Sequence, residues 1–518
     1  MRYVIYVEGL DRPGLLRDVS AAISGCDGNI LYNVAYGSEG VGYLLFITEY
    51  EGSPEFLSDR IKNVKDVYSV DIAELGIEAV DIITKFLEKN PSAAEGISQY
   101  MHPEDFTMVL VRLDDDVRRK IYGILSVKVI SSLLTELPKE LLNELGNTIP
   151  TKLLANALIP LRPDDLVDVL QALNPTVRRA VLKLLPKEKV EEIRPLLVYP
   201  PETAGGLMTT SIPKYTPDTQ VSKVIEDLGS SNYEITDVVY VVGRDGKLLG
   251  YVNVPSLFKV NPNTKLEKLI RRDYITVDPL TDQEEVAKLM VKFDITKIPV
   301  TDADGKLLGV VTLDDVTDVL LSEESEDMLL FGGVMRVEHY LTARVKDLFK
   351  KRFIWILFLY LMENVTARII SSFSGMISKV AILAAFIPLI LGTGGNAGSQ
   401  SAVLVTRALA LGELTLKDVL RVLGKELLTA LLLALTIAPI AFLFAYGVSS
   451  QVSLSIAVAL AILLVIIACS IMGGLLPLLA VAIKVDPAVI SAPLLTTIAD
   501  IVGLTIYFIT LSIVLGII

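Results

Sequence analysis

The apolar and polar positions change their pattern three times along this chain. The first 75 residues alternate over short stretches. Tyr3–Val7 and Tyr43–Thr48 read as strands, and Leu15–Ile23 has helical spacing after a turn at Asp11–Gly14. From about Gly76 to Leu197 short amphipathic helices repeat, and Pro103–Leu125 aligns without a gap with Pro163–Leu185. Each copy opens with Pro and two acids, a helix-start signal, and such repetition implies a stack of short helical units. A second repeat follows, Ile235–Phe258 against Ile295–Val319, with a strand–turn–strand–helix pattern around two D-G-K-L-L-G turns. Beyond residue 352 the pattern becomes almost wholly apolar. Five segments, roughly 353–373, 380–406, 424–447, 452–482 and 487–515, each reach the ~20 residues that a membrane span requires.

Charge follows the same division. Seven basic and six acidic residues lie after residue 352, leaving 41 basic and 55 acidic residues before it, about −14. An acidic soluble half speaks for cations and against nucleic acid as partners. Cys26 and Cys469 are the only cysteines, far apart in sequence, which speaks against a disulfide framework. The start, MRYVIYVEGLDRPG, lacks the apolar core and cleavage site of a signal peptide. Lys346, Lys350, Lys351 and Arg352 precede the first span, and Arg407, Lys417, Arg421 and Lys425 separate the second from the third. The positive-inside rule then puts the N-terminal domains in the cytosol and the C-terminus outside.

Two features inside the apolar part carry chemistry. Gly392–Ser401 is glycine, small and polar throughout, where a span ordinarily hides its backbone. It reads either as a helix-packing seam or as an oxygen-lined break facing a water-filled path. Gly473, Gly474 and Pro477 suggest a kink or break in the fourth segment. Asp500 stands mid-span with no basic residue near it in sequence, and a lone carboxylate there is costly unless it meets a cation. Glu363 and Arg368, five apart on the first span, read as a structural ion pair or a subunit contact.

The stretch PLILGTGGNAGSQSAVLVTRALA resembles the glycine–asparagine signature of the MgtE-type magnesium channel/transporter family, and SAPLLTTIADIVGLTIYF matches its last helix. The resemblance extends from about residue 80 to the C-terminus. It implies a multidomain chain: an all-α superhelical N domain (76–205), a tandem α/β CBS pair (206–322), an acidic connecting or plug helix (323–352) and a five-helix membrane pore (353–518). YPPETAGGLMTT (Tyr199–Thr210) matches the family's linker, with Gly206 where a larger residue is expected. Residues 1–75 are an addition to that plan. EGLDRPGLLRDVSAAI resembles the start of an ACT domain, whose loop here, Asp11, Pro13 and Gly14, implies an amino-acid effector site; a dimerising ferredoxin-like module without ligand is the alternative.

Residue by residue, the family implies a homodimer with Asp500 as central ion ligand and Gly392, Gly395 and Asn396 contacting the ion's waters. Magnesium keeps much of its hydration and takes few carboxylates, so one acid and several oxygens suit it. Ser399 and Ala492 stand where some relatives carry longer amides, which leaves manganese, cobalt or nickel open. In the second CBS repeat Gly309-Val-Val-Thr312-Leu-Asp-Asp315 keeps the pattern that holds ATP by Thr312 and Asp315; the first has Asn253 and Ser256 instead, which leaves one nucleotide site or none. Asp315, Asp318, Glu323, Glu326 and Asp327 recur at helical spacing toward the membrane. The resemblance makes them regulatory Mg²⁺ ligands that close the pore; the plainer reading is a solvated helix.

The expectation is therefore an inward Mg²⁺ channel in the cytoplasmic membrane, shut by cytosolic Mg²⁺. A cation exchanger or exporter and a membrane-anchored ACT/CBS sensor are the rivals. An enzyme lacks support, since His102 and His339 are the only histidines and no H-E-x-x-H or Walker motif occurs.

Overall fold

In the computed structural model, which describes residues 1–230, 233–335, 337, 340, 343, 345–410 and 412–516, strands fall where the alternation predicts them. His339 and Arg344 lie outside the described residues. The chain divides into two compact units at Leu320/Leu321.

The first unit begins with β1 (Arg2–Leu10), α1 (Leu15–Ser24), β2 (Asn29–Ser38), β3 (Val41–Glu49), α2 (Pro54–Lys62) and β4 (Val67–Glu74). The strands form one antiparallel sheet in the order β2-β3-β1-β4, the split βαβ arrangement of ferredoxin-like folds. Sequence reading found β1, β3 and α1 but not β2, α2 or β4. Both faces of the central strands β1 and β3 are buried. Tyr3, Ile5, Val7, Leu44 and Phe46 pack with α1 and α2. Val4, Tyr6, Leu45 and Ile47 turn the other way, onto Ile83, Phe86 and Leu87 of α3 (Val80–Lys89). Residues of opposite parity therefore feed different cores, which is why β1 and β3 read as continuous apolar runs. Lys85 of α3 reaches back to Glu8 at 3.1 Å and Asp71 at 3.4 Å, so this domain is fused to the helices after it.

Short helices continue to Ile193. The two repeat copies fold alike, Pro103–Arg112 then Asp115–Tyr122, and α4 (Pro163–Ala172) then Pro175–Leu182. Both copies carry Pro in the first turn of the longer helix, with its acids beside it. The linker packs tightly: a Cβ on Gly206 would collide with the carbonyls of Pro200 and Pro201, which accounts for glycine there. Two α/β halves follow, with β5 (Lys214–Tyr215), β6 (Val238–Val242) and β7 (Leu248–Asn253) in one sheet, and β8 (Lys297–Thr301) with β9 (Leu307–Thr312) in another. Helix α5 runs Leu313–Phe331 without interruption, so a domain boundary at 322/323 falls inside it. It ends at Gly333 (φ +71°), whose N–H donates to the Leu330 carbonyl at 2.8 Å.

Among the described residues the second unit holds five helices long and apolar enough to cross a membrane: α6 (Val345–Ser372), α7 (Ile387–Ala410), α8 (Val419–Ser449), α9 (Val452–Ala482) and α10 (Ala492–Leu515). Three expectations change. Residues 345–352 belong to α6 and not to the connecting helix. The glycine stretch is no break, since α7 is one continuous α-helix through Gly392–Ser401. Helix α9 likewise continues past Gly473, Gly474 and Pro477. The last two share a reason: at membrane depth a helix satisfies its own amides whatever its side chains are.

Candidate functional site

Helix α7 uses its two sides differently. On one side glycines admit neighbouring helices: a Cβ on Gly394 would meet Val465 and Cys469 at 3.0 and 3.2 Å, and one on Gly398 would meet the Cys469 carbonyl at 3.2 Å. A Cβ on Gly473 would strike the Gly398 carbonyl. The packing-seam reading therefore holds for this face. Gly395 is also buried, and its Cβ would stand 3.1 Å from Thr496 of α10, one turn before Asp500. On the other side Gly392, Asn396 and Gln400, each four residues apart, are exposed. A helical carbonyl has a second lone pair, so Gly392 can still offer oxygen there.

Asp500 is half-buried on α10, and no hydrogen bond or ion pair reaches its carboxylate among the described residues. The nearby hydroxyls are taken internally: Thr496 and Thr497 donate to the Pro493 carbonyl at 2.9 and 3.0 Å. Asn396 and Asp500 thus sit on adjoining helices joined at Gly395–Thr496. Glu363 and Arg368 form no ion pair: Glu363 is half-buried and Arg368 is exposed.

A second group of carboxylates lies in the first unit, and sequence reading missed most of it. Asp164, Asp165 and Asp168 of α4 come near Glu234, before β6, and Asp315, at the start of α5. Arg162 is the counter-charge: its Nε lies 2.8 Å from Asp165, and Nη1 pairs with Glu234. It does not suffice. Asp164 is only 5% exposed, and its Oδ1 and the Glu234 Oε2 are buried with no hydrogen-bond partner. Burial, helped by Glu234 and Asp165, pushes the Asp164 carboxyl up to about 7. Burial, Asp314 and Glu234 raise Asp315 to about 6, while the Thr312 hydroxyl, donating at 2.6 Å, pulls it back. Asp168 reaches solvent, yet the surrounding protein, Asp165 and Asp315 raise it too. Among the described residues no three such side chains already converge on one ion position. The group is a concentration of negative charge with two orphaned oxygens, which a hydrated cation would satisfy.

Of the expected regulatory acids, Asp315 joins this group, Asp318 is exposed, and Glu323, Glu326 and Asp327 lie half-buried farther along α5. The Thr312–Asp315 pair is hydrogen-bonded to itself and faces acids, so a triphosphate would have to bring its own cations. An open cleft of about 780 Å³ lies instead beside the other repeat, lined by Tyr240, Tyr251, Asn253, Arg272, Tyr274 and Lys297. In the N-terminal loop Gly14 adopts φ +89° just before α1, as only glycine does readily. Arg12 there is already engaged by Asp66 at 2.7 Å and Asp18 at 3.0 Å, and the Asp11 carboxylate lies against Gly37.

Comparison with known proteins adds the following. A family model described as "Divalent cation transporter" matches residues 387–510, one for the "MgtE intracellular N domain" matches 101–202, and one for the CBS domain matches 266–322. The magnesium transporter MgtE of Thermus thermophilus is 33% identical over 437 residues, 83% of this chain and 96% of that protein. The magnesium transporter MgtE of Bacillus subtilis is 29% identical, covering 79% of this chain and 91% of its own. Among solved structures, the cytosolic domain of the Mg²⁺ channel MgtE in complex with ATP is 31% identical, with a TM-score of 0.43, over 46% of this chain and 99% of that one.

Proposed function

Because this chain belongs to the MgtE family, we propose that it carries Mg²⁺ across the cytoplasmic membrane, inward, as a homodimeric channel gated by cytosolic Mg²⁺. The observation that carries the reading is Asp500, a half-buried carboxylate beside the glycine-rich α7, with no hydrogen-bond or ion-pair partner among the described residues. Withdrawing such a group from water is unfavourable unless a cation compensates it. In one chain the polar strip Gly392, Asn396 and Gln400 is open, and a second copy opposite it would close a path lined by amide and carbonyl oxygens. The ion then keeps its inner waters, which those oxygens accept in place of bulk solvent. Larger divalent ions would share the path to the extent that they tolerate the same hydrated fit.

The gate in this proposal is the carboxylate group on α4, Glu234 and α5. Mg²⁺ there relieves the repulsion among Asp164, Asp165, Asp168, Glu234 and Asp315 and favours the closed arrangement, with Asp318, Glu323, Glu326 and Asp327 extending the effect along α5. A ligand shifts such a balance only by its preference for one state, so several weak sites acting together give a steep response. Cytosolic N-terminal domains and an outer C-terminus complete the proposal. An amino acid at Asp11, Pro13 and Gly14 and ATP at Thr312 and Asp315 are its subsidiary parts, each testable by calorimetry on the full chain.

Flux of Mg²⁺ into liposomes holding the purified protein is the test, with internal Mg²⁺ and membrane voltage varied. Flux that follows the electrochemical gradient and falls with Mg²⁺ on the cytosolic face is expected. Flux indifferent to voltage and tied to a counter-ion favours exchange, and no flux with intact ligand binding favours a sensor.

A further inference from the structure

Helix α8 carries a carboxylate that the transport path above does not use. Glu426 lies in its third turn, half-buried, and no Lys or Arg pairs with it among the described residues. Arg421 is taken by Asp418 at 3.2 Å, and Lys425 and Arg407 are exposed. Its Oε2 instead accepts from the Ser401 hydroxyl of α7 at 2.6 Å. The same hydroxyl lies 2.8 Å from the Ser470 carbonyl of α9. Ser401 and Ser470 are 4% and 3% exposed, so the junction is enclosed by three helices.

The chain makes room for it. A Cβ on Gly474, one turn beyond Ser470, would stand 2.9 Å from the Glu426 Cγ and 3.3 Å from the Ser401 Oγ. Any larger residue at 474 would press the glutamate away from Ser401. Beside the junction α7 and α9 also meet at Gly398 and Gly473, and a small apolar cluster, Val405, Val422 and Leu478, joins the three helices. Apolar contacts resist separation of helices but resist rotation poorly, whereas a short hydrogen bond between fixed partners sets an angle.

That angle matters because of where Ser401 stands on α7. At about 100° per residue, the nine residues from Gly392 to Ser401 make two and a half turns, and Ser401 faces away from Gly392. Asn396 is likewise turned to the opposite side. We propose that Glu426, acting through Ser401, is a positioning residue for transport: it fixes the rotation of α7 and so the reach of the Gly392 carbonyl and Asn396 amide toward the ion. The inference rests on those two groups lining the path. Mispositioning by a fraction of an ångström changes how an oxygen shell suits ions of different radius, so selectivity is the quantity that Glu426 controls.

The test uses the full chain in liposomes, with uptake of Mg²⁺ and of the larger Mn²⁺ measured beside thermal stability. Glu426→Gln keeps an oxygen that accepts the Ser401 hydrogen bond and should keep the Mn²⁺-to-Mg²⁺ ratio within about twofold. Glu426→Ala and Ser401→Ala lose a bond of about 0.5–1.5 kcal/mol and should raise that ratio by about two- to tenfold. Ser401→Ala removes a single oxygen, so it remains informative if Glu426→Ala does not fold. An unchanged ratio in both alanine variants, with only stability lowered, overturns the proposal and leaves a packing contact. Loss of all flux in a folded Glu426→Gln overturns it differently, making the charge itself a cation ligand. Failure of the underlying path reading shows elsewhere, as full flux in Asp500→Asn.

Discussion

Asp500 and Asp164 are both withdrawn from water, and neither has an ion pair among the described residues. Their surroundings make them opposites. Asp500 stands on an apolar helix with Glu363 of α6 as its acidic neighbour, and α7 beside it offers carbonyl, amide and hydroxyl oxygens. Asp164 stands in a crowd, with Asp165, Glu234 and Arg162 around it. Few charges among neutral oxygens attract a cation without trapping it, since binding in a path must be weak enough to release. Many charges held close by packing are unfavourable until a cation arrives, so the cation's arrival changes which arrangement is stable. On the proposed reading the same ion is cargo in one unit and signal in the other.

The largest effect expected from this contrast is at Asp500. Asp500→Asn should lower Mg²⁺ flux by at least tenfold, the factor that follows from about 1.4 kcal/mol of lost cation stabilisation, without unfolding the protein. Flux within twofold of wild type would break the comparison at its membrane end. At the soluble end, Asp164→Asn with Glu234→Gln should do the reverse of an ordinary core mutation. The metal-free protein should be no less stable, because two poorly satisfied charges are gone, while the Mg²⁺ concentration for half-inhibition rises by about tenfold. Neutralising Glu323, Glu326 and Asp327 to Ala sharpens the same point. If those variants remain inhibited by the same Mg²⁺ as wild type, α5 transmits nothing through its charges.

How far the chain could be read in advance differs between the two carboxylates for the same reason. Asp500 is conspicuous in sequence because everything around it is apolar. Asp164 looked like any first-turn acid, because periodicity shows which face of α4 is polar but not that Glu234, seventy residues later, will pack against it. Glu426 was missed for a third reason: it stands at the very start of the third segment as read, 424–447, beside Lys425, whereas α8 begins at Val419 and carries it in its third turn. The repeats and the five spans were legible from pattern alone, whereas the CBS identity of the second repeat rested on resemblance. The glycine stretch was not, since composition cannot tell a broken helix from one whose glycines admit a neighbour.

Helix packing supplies a smaller, separable effect. Gly473→Ala places a methyl group against the Gly398 carbonyl and should destabilise the membrane unit by about 1–3 kcal/mol, visible as a lower melting temperature in detergent. Mg²⁺ binding by the soluble unit should not change. A shift in that binding would mean that the two units do not separate their tasks as the comparison holds.

The smallest effect is the dependence of the soluble unit on pH, and its sign follows from Asp164 and Asp315. Their carboxyls sit at about 7 and about 6 in the folded protein, above the ordinary value of 3.8. The folded chain therefore binds these protons more tightly than the unfolded one. Below the ordinary value both states are protonated and nothing is gained or lost. As pH rises through 4 to 7 the folded state holds protons that the unfolded state has released, so stability falls, and the full penalty is present above 7. Without metal, the soluble unit should then be more stable at pH 6 than at pH 8. Protons and Mg²⁺ answer the same repulsion, so Mg²⁺ should bind a few-fold more weakly at pH 6, where Asp164 is mostly protonated. Calorimetric titration with Mg²⁺ at the two pH values measures this directly. Asp164→Asn should flatten most of the difference, because its amide carries no proton to lose. Binding that weakens equally in that variant would move the pH-sensitive charge away from α4, and with it the crowded half of the comparison.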